Sequence, residues 1–154
     1  MGLDVSHGCF TGSHSKFNQW RIQLAKAAKL PPLELMDGYW ESPKKGGHRI
    51  GLPLTIRVVA NTLTLANLET VRESLLDGLD FEPISWNCLR PSPLHELLYH
   101  SDCDGQIAWQ QCDSIANCID LISPKMPQKW ALITETFITG LRLAASLRED
   151  IEFC

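Results

Sequence analysis

Three long segments of the chain carry apolar residues three or four positions apart, the spacing that places them on one face of an α-helix. These segments are residues 16–29, 107–122 and 127–147. In the first segment Trp20 and Leu24 lie on that face, and the hydroxyl of Ser13 or Ser15 can cap the N-terminus of the helix. The pattern therefore predicts three helices that bury one side each.

Shorter patterns predict further elements. A Ser-Pro pair predicts a short helix over residues 93–100, and residues 55–59 and 67–76 favour a strand and another helix. Residues 3–7 (LDVSH) and the tail 150–154 (DIEFC) are typical of strands, and we expect the two to pair. The sequence thus predicts a mainly α-helical fold (α+β, with a minor sheet).

The composition fits one domain over residues 1–154, with a helix-loop-helix at residues 93–122. The net charge is −4 and no basic run occurs, which argues against nucleic acid as a partner. No apolar run approaches ~20 residues and the N-terminus lacks a signal-peptide pattern, so we expect no membrane partner and a cytoplasmic location. The six cysteines are then expected to be reduced thiols.

The stretch HSDCDGQIAWQQ, residues 100–111, resembles the twelve-residue calcium loop of the EF-hand family. Asp102, Asp104 and a following glycine match that loop, and the resemblance implies one divalent cation. The cation ligands would be His100, Asp102, Asp104 and Gln111. Because His100 and Gln111 replace two expected carboxylates, calcium would bind with a dissociation constant on the order of 10⁻³ M or weaker.

Two alternatives remain for the same stretch. In the first it is a turn between helices, where Asp102 or Asp104 caps the following helix and Gly105 supplies an unusual backbone angle. In the second, HSDCDG resembles the His-x-Asp-x-Asp-Gly motif of the Asp-His-His phosphoesterases, which implies metal-dependent hydrolysis. The chain lacks the Asp-His-His triplet of that family, so we assign no catalytic residue.

A second polar constellation lies in residues 6–21, SHGCFTGSHSKFNQWR, where a glycine-containing loop opens into the first helix. Backbone N–H groups, hydroxyls and cations at a helix N-terminus can cradle an anion. The candidate ligand-binding residues are His7, Ser13, His14, Lys16 and Arg21. The alternative is a capped strand-to-helix turn with surface histidines.

Four segments of the chain, MGLDVSHG, HSDCDG, GLRLAA and IEF, are together similar to an uncharacterised family of small phage and bacterial proteins. The resemblance implies a phage or prophage setting. From the candidate anion-binding residues we expect a small non-enzymatic binding protein that captures a small anionic, nucleotide-like ligand or a host protein. By analogy, in a phage setting it would counter a host defence system. A homo-oligomer is compatible with the sequence.

Overall fold

The computed structural model describes most of the N-terminal fifth and the C-terminal half of the chain, with short pieces between them. The described residues are 2–31, 33, 36, 40–41, 48–49, 52–53, 81–82, 85–100 and 104–154. The strand predicted at 55–59, the helix predicted at 67–76 and Asp102 lie outside these residues.

The described part of the chain is mainly α-helical with a minor antiparallel sheet, as the sequence predicts. Its α-helices are α1 His14–Ala27, α2 His95–Tyr99, α3 Trp109–Ile122 and α4 Ala131–Leu147. Its 3₁₀ turns are Trp86–Leu89, Ser123–Lys125 and Gln128–Trp130. Its strands are β1 Gly2–Val5, β2 Phe10–Ser13, β3 Trp40–Glu41, β4 His48–Arg49, β5 Leu52–Pro53, β6 Phe81–Glu82, β7 Gly105–Ile107 and β8 Ile151–Phe153.

The largest sheet joins the two ends of the chain. Its strand order is β2-β1-β8-β7, all neighbours are antiparallel, and Val5 lies opposite Phe153. The Asp4 N–H donates to the Cys154 carbonyl at 3.0 Å, and the Cys154 N–H donates back to Asp4 at 2.9 Å. The predicted pairing of the terminal segments is confirmed. The remaining strands form two separate two-stranded ladders, β3–β4 and β5–β6.

Two strands were not predicted. Residues 8–12 were expected to form a loop, but β2 begins at Phe10 and pairs with β1 along its whole length. Residue 107 was expected to begin a helix, but Gly105–Ile107 pairs with β8, so α3 begins only at Trp109. The segment 93–122 therefore contains the two predicted helices, and the connection between them contains β7.

The helix boundaries follow from local capping and from burial. Ser13 caps α1, because its hydroxyl accepts the Lys16 N–H at 3.1 Å. Helices α3 and α4 pack against each other and against α1 through their apolar faces, and the 3₁₀ turn that ends at Trp130 leads directly into α4.

In the described residues, no helix has the length and apolar character that a bilayer crossing requires.

Aromatic rings fill the centre of the core. Trp20 lies 4.6 Å from Phe137 between ring centroids, and Phe17 contacts both rings. The indole N–H of Trp20 donates to the hydroxyl of Thr134 at 3.1 Å, and Thr134 in turn donates to the Trp130 carbonyl at 2.8 Å. The indole N–H of Trp20, the largest buried ring, therefore has a hydrogen-bond acceptor inside the core.

Candidate functional site

The described residues of the segments MGLDVSHG, HSDCDG, GLRLAA and IEF lie in or against the terminal sheet. MGLDVSHG supplies β1 and the turn after it, IEF is β8, and HSDCDG leads into β7. GLRLAA lies on α4, where a Cβ at Gly140 would be 2.4 Å from the Cys9 sulfur and 2.9 Å from the Cys9 backbone nitrogen. Gly140 therefore lets the turn after β1 lie directly on helix α4.

The turn of residues 6–9 has an uncommon backbone. His7 has φ 58° and Gly8 has φ 70°, and the Cys9 N–H donates to the Ser6 carbonyl at 3.2 Å. Positive φ at both central residues is typical of the tight hairpin turn that matches strand twist. The usual sequence signal for this turn is Asn-Gly, Asp-Gly or Gly-Gly, and His7-Gly8 is not one of these pairs, which is why the sequence did not predict a hairpin here.

A chain of hydrogen bonds holds this turn against the C-terminal segment. His7 Nε2 lies 2.8 Å from Glu149 Oε2, and His7 Nδ1 lies 2.9 Å from the hydroxyl of Ser6. The Ser6 hydroxyl also accepts the backbone N–H of Glu152 at 2.9 Å. These bonds join residues at opposite ends of the sequence, and they fix the His7 ring in place.

The five residues predicted to bind an anion fall into three separate places. His7 lies in the turn, whereas Ser13, His14 and Lys16 lie where β2 ends and α1 begins, ~10 Å away at the usual rise of a strand. Arg21 is only 4% exposed, and its Nη1 donates to the carbonyls of Leu97 and His100. Arg21 therefore donates hydrogen bonds to carbonyl oxygens at the C-terminus of α2, where carbonyls have no partner within the helix.

His100 is held by packing. Its ring stacks on Phe153 with centroids 4.1 Å apart, and its Nε2 lies 3.3 Å from the Gln106 carbonyl oxygen. Gly105 has φ 111°, and a Cβ there would lie 2.8 Å from the His100 ring. Two features therefore require glycine at position 105: the positive φ angle, and the close approach of the His100 imidazole, which leaves no space for a Cβ.

The predicted cap of α3 is wrong in the described part of the loop. Asp104 lies in an exposed bend, and the N–H of Trp109 donates to Asp150 Oδ1 at 2.9 Å. The capping carboxylate therefore comes from the C-terminal segment, next to β8, and the sequence between residues 100 and 111 holds no sign of it. Within the described residues, no three histidine, cysteine or acidic side chains are placed to hold a metal ion together.

The remaining predicted metal ligand, Gln111, lies in a different place. It lines an open cavity of about 390 Å³ between the segment before α2 and the first turns of α3. The lining residues are Arg90, Ser92, Pro93, His95, Glu96, Gln111 and Ser114. This volume lies within the ~300–1,000 Å³ that small-molecule sites occupy.

The cavity combines charge, hydrogen-bonding groups and an aromatic edge. Arg90 brings a permanent positive charge, and Glu96 Oε1 lies 3.4 Å from His95 Nδ1. The His95 ring lies parallel to Tyr99 with centroids 5.5 Å apart, and Tyr99 meets Trp86 edge-on at 5.2 Å. Because Tyr99 is 56% exposed, one side of this aromatic group is open to solvent beside the cavity.

The sequence does not predict this site. The Ser-Pro pair at Ser92 predicts only the start of a helix, and the Ser92 hydroxyl does accept the Leu94 N–H at 3.2 Å. Arg90 and His95 carry no motif, and Ser114 is separated from them by more than one element. The sequence feature that points to the site is the presence of Arg90 between the aromatic residues Trp86 and Tyr99.

The buried thiols are poor nucleophiles. Burial, together with the neighbouring Cys112 thiol, raises the pKa of Cys9 to about 12. Burial, together with the Asp150 and Asp113 carboxylates, raises the pKa of Cys112 to about 11. Both side chains therefore stay protonated at neutral pH and act as small apolar groups.

Comparison of the chain with family models, with curated proteins and with solved structures gives no match.

Proposed function

We propose that this protein is a small non-enzymatic binding protein that captures an anionic, nucleotide-like ligand in the cavity between α2 and α3. The single observation that carries the proposal is the lining of that cavity. It combines one arginine, one glutamate, a stacked imidazole and neutral hydrogen-bonding side chains in a volume of about 390 Å³.

Each part of a nucleotide has a matching group. The guanidinium of Arg90 can bind a phosphate through two parallel hydrogen bonds. The ring of His95 lines the cavity and lies parallel to Tyr99, so it can stack on a base, and base–aromatic stacking contributes ~1–3 kcal/mol. Glu96 can accept hydrogen bonds from sugar hydroxyls. The Gln111 amide and the Ser114 hydroxyl can each bind either a hydrogen-bond donor or an acceptor of the ligand.

The state of the candidate nucleophiles supports binding without turnover. The Cys9 and Cys112 thiols are protonated at neutral pH. Neither of these two groups lines the cavity. A protein that binds a nucleotide and leaves it unchanged acts by sequestration, and the resemblance to small phage and bacterial proteins extends the proposal to sequestration of a host signal.

A thermal unfolding assay with matched ligands tests the proposal. Adenosine monophosphate at about one hundred times its dissociation constant should stabilise the protein by ~2.7 kcal/mol and raise the Tm by ~5–10 °C. Adenosine should raise the Tm less, because it lacks the phosphate that binds Arg90. Other mononucleotides, each compared with its nucleoside, identify the preferred base.

Two variants locate the effect. Arg90→Gln should abolish the difference between nucleotide and nucleoside, whereas Lys125→Gln removes an exposed cation outside the cavity and should leave it intact. Chromatography of the ligand after incubation should return the nucleotide unchanged. The proposal fails if no mononucleotide shifts the Tm, if Arg90→Gln responds like the wild type, or if the nucleotide is hydrolysed.

A further inference from the structure

Helix α4 presents an exposed face without a charged residue. Leu132, Leu143 and Leu147 are 75%, 44% and 53% exposed, and Thr136 and Thr139 lie between them. The five residues are spaced by four, three, four and four positions, so they form one stripe along the helix. The buried residues of α4, such as Phe137 and Leu141, lie on the opposite side.

The two threonines make this stripe more apolar than their hydroxyls suggest. The Thr136 hydroxyl donates to the Leu132 carbonyl at 2.8 Å, and the Thr139 hydroxyl donates to the Glu135 carbonyl at 2.9 Å. Both hydroxyl protons are therefore used inside the helix. The stripe is a surface of leucine side chains and threonine methyl groups that runs over more than four turns, and such surfaces mark interaction sites.

The spacing of the stripe fits a second copy of itself. The leucines at its ends, Leu132 and Leu147, are equally distant from a midpoint between Thr139 and Gly140. A two-fold axis through this midpoint would place Leu132 of one copy beside Leu147 of the other. The same axis would place Thr136 beside Leu143 and the two copies of Thr139 beside each other. An isologous contact requires this self-complementarity.

The charges along one edge of the stripe select the antiparallel arrangement. Glu135 and Arg142 are seven residues apart, so they lie on the same edge. The two-fold axis brings Arg142 of one copy to within about two residues, or ~3 Å along the axis, of Glu135 in the other. Each interface would then contain two opposite-charge pairs. A parallel pairing would instead leave Glu135 of one copy and Arg142 of the other seven residues, or ~10 Å, apart along the helix axis.

Arg142 is already positioned along that edge. Its Nη1 donates to Asn117 Oδ1 at 3.0 Å, its Nη2 lies 3.6 Å from Asp120, and its side chain is still 44% exposed. We propose that the stripe is a dimer interface, in which α4 packs antiparallel against α4 of a second copy of this chain. The interface is independent of the proposed ligand cavity, which contains no residue of α4.

Sedimentation equilibrium of the full chain over a range of protein concentrations tests the interface. The wild type should show a concentration-dependent rise in mass from 17.3 kDa to twice that value. Leu143→Glu should weaken dimerisation at least tenfold, because it places two carboxylates in the apolar stripe. Lys26→Glu, an exposed charge reversal on α1, should leave the dissociation constant unchanged.

A charge exchange tests the antiparallel geometry. Glu135→Arg and Arg142→Glu should each weaken the dimer, since each places like charges together, and the double variant should recover most of the wild-type affinity. Circular dichroism verifies that all variants fold. A wild type that stays at 17.3 kDa up to millimolar concentration overturns the proposal, as does a dimer that Leu143→Glu leaves intact or a double variant no better than the singles.

Discussion

Replacing Gly140 with alanine would add one methyl group to helix α4 where the helix meets the turn of residues 6–9. The new carbon would lie 2.4 Å from the Cys9 sulfur and 2.9 Å from the Cys9 Cα and backbone nitrogen. Each distance is well below the ~3.5–4.0 Å of a relaxed contact, so the turn or the helix must move. The backbone contacts matter most, because a side chain can rotate away and a backbone nitrogen cannot.

Two effects of opposite sign determine the result. Alanine favours a helix interior over glycine by ~1 kcal/mol. Overpacking of a well-packed site costs ~1–3 kcal/mol and occasionally more. We expect the upper end of that range, because moving Cys9 disturbs both its bond to the Ser6 carbonyl at 3.2 Å and the sheet contacts of Ser6. The net prediction is a loss of ~2 kcal/mol in the free energy of unfolding.

Urea unfolding followed by circular dichroism measures this loss. Ser146→Ala on the exposed side of the same helix is the matched control and should change stability by less than ~0.5 kcal/mol. Adding Cys9→Ala to Gly140→Ala removes the sulfur but keeps the backbone contacts, so it should recover only part of the loss. A Gly140→Ala protein as stable as the wild type would refute the close approach, and full recovery in the double variant would refute the role of the backbone.

Further predictions concern the core, the thiols and the turn. Thr134→Val leaves the buried Trp20 N–H without an acceptor and should lower the free energy of unfolding by ~1–3 kcal/mol; an unchanged urea midpoint would contradict that bond. Folding raises the Cys9 pKa from 9.0 to about 12, so the thiol of the unfolded chain ionises first as pH rises. The free energy of unfolding should therefore fall between pH 9 and pH 12, by up to ~1.4 kcal/mol per pH unit. Cys9→Ala should flatten that decline in urea titrations at pH 9–12, and an identical slope would argue against burial of the thiol. Glu149→Gln weakens the bond to His7 and should speed hydrogen exchange of the turn amides, whereas unchanged exchange would show that this bond does not hold the turn.

The elements predicted correctly are those whose signal is local. Helix α4 has a long apolar spacing that is typical of a helix, the terminal segments alternate apolar and polar residues as strands do, and Ser13 caps α1 as expected. Strand β7 has only three residues and forms because it pairs with β8. Its formation therefore depends on residues near the C-terminus, about 45 positions further along the chain. The same holds for the Asp150 carboxylate at the start of α3.

The candidate site was harder to predict for a related reason. The motif residues His100, Gly105 and Arg21 are conspicuous in sequence, yet the structure uses them for packing and for helix termination. The cavity is instead formed by ordinary polar residues such as Arg90 and Ser114, which come together only after α2 and α3 are in place. A cavity of this kind depends on tertiary arrangement and leaves no fixed spacing in the sequence.

Amide chemical shifts during titration with adenosine monophosphate test the binding site most directly. Saturable shifts should appear first around the cavity, at the amides of Arg90, Ser92, Gln111 and Ser114. Adenosine should cause smaller shifts at Arg90 than the nucleotide does. Shifts centred on the N-terminus of α1 at Ser13 and Lys16, or no saturable shift at millimolar nucleotide, would contradict the proposed site.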